Sequence, residues 1–138
     1  MKLKLVVEVI GEELIHPGVG DSIQDVIAPT HPKPGAKVKG TTIAELGNRN
    51  RPLDMIVYKK DGADYILMAN SSRGVMKLPA QQLDSYEAIT AQTEKRGVPY
   101  ETIATLKGVQ QLDKLDDSHA LLLADENGSL DLRTIPLP

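Results

Sequence analysis

From residue 41 onward, turn residues divide most of the chain into short segments, a pattern typical of short strands. The segments are rich in Val, Ile, Leu and Thr, which favour extended strands. The turns include Asp61-Gly62 and the run from Asn70 to Gly74, whose residue types tolerate the backbone of tight hairpins. The sequence therefore predicts an all-β fold of antiparallel strands. The expected strands are Thr41 to Leu46, Leu53 to Lys59, Tyr65 to Ala69, Val75 to Leu78, Thr102 to Leu106, Val109 to Leu115, His119 to Ala124 and Leu130 to Ile135.

Two stretches depart from this pattern. Residues 1–40 begin with a strand-like segment, Lys2 to Ile10, and continue into an irregular arm dense in Pro and Gly. Within that arm, Asp21 to Ala28 could form one short helical turn. Leu83 to Arg96 is the best helix candidate in the chain, although an irregular loop with an extra strand is an alternative. We expect one domain overall, with the β repeats in residues 41–138 and at most one or two short helices.

Composition limits the classes of function. The chain has 138 residues with no Cys, Phe or Trp, and its net charge is −3. The absence of Cys excludes disulfides and thiolate chemistry. The charge and the scarcity of aromatic rings argue against a nucleic-acid or membrane partner. The longest apolar run, Leu5 to Ile10, is too short for a membrane span, and its flanks lack the small-residue cleavage pattern of a signal peptide. We expect a soluble protein of undetermined compartment.

Four short matches recur in the same order along the chain, about 55–60 residues apart, which indicates an internal repeat. They favour two units, at about 41–100 and 101–138. The alternative is that any two β-meanders share such features. The matching pairs are Thr42 to Leu46 with Thr102 to Leu106, Leu53-Asp54 with Leu112-Asp113, Ile66 to Ala69 with Leu121 to Ala124, and Gly74 with Gly128.

In length and strand number the units resemble blades of six- or seven-bladed β-propellers of the NHL and lactonase type. The resemblance implies that Leu53 to Lys59 is an inner strand and that the second unit lacks its outer strand. Lys2 to Ile10 could supply that strand. Two blades cannot close a ring, so the resemblance also implies assembly with further copies or with another propeller-forming chain. A fragment or a self-contained β-sandwich is the alternative.

The same resemblance places two polar loops, residues 47–52 and 70–74, on one face. Guanidinium groups bind carboxylates and phosphates, and Asn side chains supply both donors and acceptors. Arg49, Arg51, Asn70 and Arg73 are therefore predicted to bind a polar or anionic small molecule. The alternative is that these are ordinary turn residues exposed to water. With no catalytic constellation in the sequence, we expect a non-enzymatic binding or interaction module without a cofactor.

A calcium-dependent hydrolase similar to lactonase or esterase propellers is the competing function. Oxygen ligands suit calcium, and they would come from Asn48, Asn50, Asp54 and Asn70, matched by residue type only. The acidic turn from Asp125 to Gly128 could also offer oxygen ligands. It lacks the spaced ligands of a calcium loop, so a plain hairpin turn is favoured there.

Overall fold

The computed structural model describes residues 6–10, 13–15, 23–25, 41–47, 49–91 and 96–138, and twelve strands in these ranges form three sheets. The predicted all-β class is confirmed. All strand pairs are antiparallel except β1 with β3. The strands are β1 Val6–Ile10, β2 Glu13–Ile15, β3 Ile23–Asp25, β4 Thr41–Glu45, β5 Pro52–Lys60, β6 Ala63–Asn70, β7 Gly74–Pro79, β8 Arg96–Gly97, β9 Glu101–Ile103, β10 Val109–Lys114, β11 His119–Glu126 and β12 Ser129–Pro136.

The middle sheet has four strands in the order β5-β6-β7-β9. Its first hairpin turns at Asp61 and Gly62, whose φ angles of 51° and 81° are the left-handed values that this residue pair was expected to supply. The predicted strands and turns of this region are confirmed to within a few residues.

The C-terminal sheet has three strands in the order β10-β11-β12. Its first strand and that of the middle sheet each contain a bulge, between Val109 and Gln111 and between Pro52 and Asp54. When the first strands of the two sheets are aligned at their bulges, Asp54 corresponds to Gln111, whereas the sequence repeat matches Asp54 with Asp113. The alignment at the bulges and the alignment of the sequence repeat thus differ by two residues, and the internal repeat stays a prediction.

The N-terminal sheet has the order β2-β1-β3-β4-β8. Val6–Ile10 pairs with Glu13–Ile15 and Ile23–Asp25, so the prediction that this segment completes the C-terminal sheet is wrong. The predicted helical turn from Asp21 to Ala28 is also wrong where it is described, because Ile23–Asp25 is a strand. The remainder of that turn lies outside the described residues.

The helix predicted over residues 83–96 is not formed. A three-residue 3₁₀ turn, Leu83–Ser85, is followed by irregular backbone to residue 91 and by the short strand β8, which fits the alternative of a loop with an extra strand; residues 92–95 lie outside the described ranges. Ile89 is buried and donates its N–H to Thr42 O at 2.7 Å. Docking against β4 thus overrides a weak helical preference.

The middle sheet lies between the other two, and alternate residues of its strands face opposite layers. Its two faces bury apolar side chains in two separate clusters. One cluster joins Met55, Ile66, Met68, Met76 and Leu78 to Ile43, Ala44, Leu46 and Val98. The other joins Ile56, Tyr58, Leu67, Ala69 and Val75 to Val109, Leu112, Ala120, Leu122, Ala124 and Leu137.

No helix among the described residues is long and apolar enough to cross a membrane.

Tyr58 ties the end of the described chain to the middle sheet, and its ionisation should affect stability at high pH. Its hydroxyl donates to Pro138 O at 2.6 Å. Burial, with smaller contributions from Tyr65 and Glu101, raises the pKa of Tyr58 from 10.0 to about 12. The folded state disfavours the tyrosinate, so this contribution to stability is present below pH 10 and is lost as the pH rises from about 10 to about 12.

Denaturation at a series of pH values should therefore show a decline in that range that is smaller in Tyr58→Phe than in the parent chain. At neutral pH the same variant should lose about 1 kcal/mol with the hydrogen bond. Tyr86→Phe is the matched control. An alkaline decline identical in the parent and Tyr58→Phe would contradict the assignment.

Candidate functional site

Asn50 fastens the segment before β5 to the turn between β6 and β7. Its side chain is only 1% exposed. Nδ2 donates to Leu46 O at 3.2 Å, and Oδ1 accepts from Ser72 N and Arg73 N at 3.4 and 3.2 Å. The buried Asn50 amide therefore connects residues 47–52 with residues 70–74, the two loops that were predicted to lie on one face.

Arg49 and Arg51 take part in this junction through their backbones, while both residues are exposed. Ser72 Oγ donates to Arg49 O at 2.9 Å. Arg51 N donates to Ser71 Oγ at 3.0 Å, and Ser71 N donates to Arg51 O at 2.9 Å. The structure thus brings the two predicted loops together, with a backbone role for these two arginines.

Arg73 and Asn70 lie beside a cleft between the loops of the middle and C-terminal sheets, which we call the loop cleft. Its volume is about 390 Å³. Arg49 and Arg51 do not line it. Lys107 was not among the predicted site residues, although the Lys-Gly pair before β10 is a turn signal. The lining residues are Asn70, Ser71, Ser72, Arg73, Gly74, Thr102, Ala104, Lys107 and Gly108.

The guanidinium of Arg73 packs over Gly47. A Cβ built on Gly47 would lie 2.7 Å from both Cζ and Nε of Arg73, and the φ of Gly47 is 100°. Only glycine combines this backbone angle with so close an approach. Gly47 therefore helps to set where the Arg73 side chain rests.

Asn70 is 5% exposed and holds the end of β6 to the start of β7. Its Nδ2 donates to Met68 O and Gly74 O, both at 3.2 Å. Its Oδ1 is buried and accepts no hydrogen bond from any described residue. An acceptor in this state costs free energy unless a partner reaches it.

Most oxygens predicted as calcium ligands already accept hydrogen bonds. Asp54 Oδ1 and Oδ2 accept from Met55 N and Leu112 N, both at 2.8 Å, and Asn50 Oδ1 is engaged as above. A cation would have to displace these donors. Asn48 lies outside the described residues. Elsewhere in the described ranges, no group of three or more His, Asp or Glu is arranged to hold a metal ion.

The acidic turn after β11 has the geometry of a hairpin turn. Asp125 Oδ1 accepts from Gly128 N at 2.8 Å, and Glu126 forms an ion pair with Arg133 at 2.7 Å. Asn127 and Gly128 have φ angles of 56° and 85°. The carboxylates are thus used locally, as the favoured interpretation of the sequence expected.

The C-terminal sheet has one buried face and one exposed face, which we call the outer face. Directly paired residues share a face, and the outer face contains a run of leucines. Leu130 and Leu132 are each 64% exposed, and Leu121 and Leu123 are half-buried. The outer-face residues are Gln111, Asp113, His119, Leu121, Leu123, Asp125, Leu130, Leu132, Thr134 and Pro136.

In the middle sheet, the corresponding positions are covered. When the two sheets are aligned at the bulges of their first strands and the residues are followed across paired strands, Leu121 corresponds to Leu67, Leu123 to Ala69, and Leu132 to Val75. The three middle-sheet residues are fully buried beneath the C-terminal sheet. The outer face therefore repeats the character of a surface that another sheet covers within this chain.

The described residues thus present two candidate functional features, the loop cleft and the outer face. The first gathers Arg73, Lys107 and a buried amide oxygen, and the second gathers exposed leucines. Comparisons of the chain with protein-family models, with curated proteins and with solved structures found no match.

Proposed function

We propose that this chain is a non-enzymatic interaction module of β-propeller type, whose two C-terminal sheets act as neighbouring blades and whose outer face packs against a second copy of the chain. The correspondence of Leu121, Leu123 and Leu132 with three fully buried middle-sheet residues carries the proposal. Leucines exposed together on a flat sheet face are a costly arrangement in water and are typical of surfaces that are covered in an assembly.

The free edge of β12 supports the same function. In the middle sheet, β7 pairs with both β6 and β9, whereas within the described part of the chain β12 pairs with β11 alone. An unpaired strand edge presents backbone donors and acceptors to a partner. Edge and face lie on the same sheet, so one copy could engage both.

The polar residues of the outer face are placed at its periphery. Gln111 and Asp113 lie on the edge strand β10, Asp125 pairs with Leu130 at one end of the face, and His119 and Thr134 lie toward its other end. An apolar centre with a polar border is the composition of protein–protein interfaces. A symmetric pair in which leucines meet leucines would satisfy this layout.

Light scattering coupled to size-exclusion chromatography tests the proposal. The parent chain should elute at a mass of at least two 15.0 kDa copies at micromolar concentration, because the leucine face is removed from water in the pair. Leu132→Lys should shift the mass to one copy, because a buried ammonium group opposes assembly.

Thr90→Lys is the matched control, since Thr90 is exposed and lies between the 3₁₀ turn and β8, outside the outer face. It should assemble like the parent chain. A one-copy mass for the parent across the accessible concentrations would refute the proposal. Equal loss of assembly in both variants would refute the role of the outer face.

A further inference from the structure

The loop cleft is a small space whose walls are held by backbone contacts. Residues 70–74 form one wall and residues 102–108 form most of the other. Val75 N donates to Leu106 O at 3.2 Å, and a Cβ on Gly74 would lie 2.9 Å from the same oxygen. At about 390 Å³ the cleft is at the small end of ligand pockets. Its shape therefore suits a compact molecule.

The charge of the loop cleft is positive. Arg73 and Lys107 are the only charged residues among those that line it, and neither takes part in an ion pair within the described ranges. Asp125 and Glu126 lie in an adjoining depression with Lys107. These carboxylates are already engaged, by Gly128 N and by Arg133. Arg73 and Lys107 thus contribute positive charge to the cleft lining, and Asp125 and Glu126 lie in the adjoining depression beyond Lys107.

The same cleft contains a polar group that lacks a partner. Asn70 lines the cleft, and its Oδ1 is buried without a donor from the described residues. Both hydrogens of Nδ2 are used by carbonyl oxygens, which fixes the orientation of the amide. The missing partner of the amide oxygen is a hydrogen-bond donor, such as a hydroxyl group.

From these observations we infer that the loop cleft binds a small oxyanion, a carboxylate or a phosphate, that also carries a hydroxyl group. Arg73 supplies a planar fork of donors and Lys107 supplies a point charge. The ligand hydroxyl supplies the hydrogen bond that Asn70 Oδ1 lacks. The ligand site is separate from the outer face, so this inference does not depend on self-association.

Backbone-amide shifts in NMR titrations at low salt test the inference. Four probes would be added separately: propyl phosphate, glycerol 3-phosphate, succinate and malate. We expect saturable shifts at residues 71–74 and 107–108, with the hydroxyl-bearing member of each pair binding more tightly. Whichever pair binds more tightly identifies the anion class. Arg73→Gln and Lys107→Gln should each weaken binding by about tenfold, as for the loss of one charge-assisted contact.

Arg51→Gln and Lys59→Gln are the matched controls. Each removes one positive charge outside the cleft lining, and each should change the dissociation constant by less than about twofold, because exposed charges are screened. Absence of saturable shifts with all four probes would overturn the inference, as would equal weakening in the cleft variants and the controls. Equal binding of the two members of each pair would overturn the role of Asn70.

Discussion

Leu67→Ala is expected to lower the free energy of unfolding by about 3 kcal/mol, which lies within the range for buried leucines. Leu67 is completely buried where the middle and C-terminal sheets pack together. Its truncation removes apolar contacts from both sheets and leaves a cavity that paired strands on either side are poorly able to collapse. Urea denaturation followed by circular dichroism measures the change.

Leu115→Ala provides the matched comparison. The side chain is the same, but Leu115 is 54% exposed after the end of β10. Its truncation should cost less than about 0.5 kcal/mol, as is usual for surface substitutions. Equal effects of the two substitutions would contradict the packing of the C-terminal sheet on the middle sheet.

Asn50→Ala is the second substitution with a large expected effect. It removes one donor from Leu46 O and one acceptor from the backbone of Ser72 and Arg73, all at a residue with 1% exposure. Backbone groups that lose their partner inside the protein cost roughly 1–3 kcal/mol each. Partial hydration of the exposed turn reduces this sum, so we expect a loss of about 2–3 kcal/mol.

The measurement is again urea denaturation, now combined with hydrogen exchange of the Ser72 and Arg73 amides. Both amides should exchange faster in Asn50→Ala, because their acceptor is gone. Gln81→Ala is the control, since Gln81 is exposed in the turn that follows β7. Unchanged exchange at residues 72 and 73 would argue against Asn50 as the junction of the two loops.

The strands of residues 52–79 could be predicted because local chemistry determines them. Asp61-Gly62 favours a tight hairpin, and the adjacent segments are β-branched and apolar. Their alternation also places Met68 and Leu67 on opposite faces. Where the preferences of neighbouring residues agree with the pairing of strands, the sequence is sufficient.

Long-range pairing could not be obtained in this way. The bulges before Asp54 and Gln111 change the register by one residue without a residue type that signals them. The segment Val6–Ile10 is strand-like in either of two sheets, and only tertiary contacts select one. The helix expected after Leu83 fails for the same reason, because Ile89 docks against β4.

The candidate site was predictable only in part. The convergence of residues 47–52 with 70–74 was expected, but the use of the Asn50 amide within the protein was not. The presence of Asn in a loop sequence does not reveal whether its amide is exposed to water or forms hydrogen bonds with a neighbouring turn. Lys107 was missed because its place in the loop cleft depends on how the C-terminal sheet packs against the middle one.

The hydrogen bond from Leu112 N to Asp54 Oδ2 joins two different sheets through a side chain. Apolar layers can slide over one another with little change in buried area, since the hydrophobic effect is non-directional. A carboxylate that must meet one particular amide at 2.8 Å removes that freedom. Asp54 thus fixes the position of the C-terminal sheet relative to the middle sheet. It thereby also fixes the relative positions of the loops that form the loop cleft.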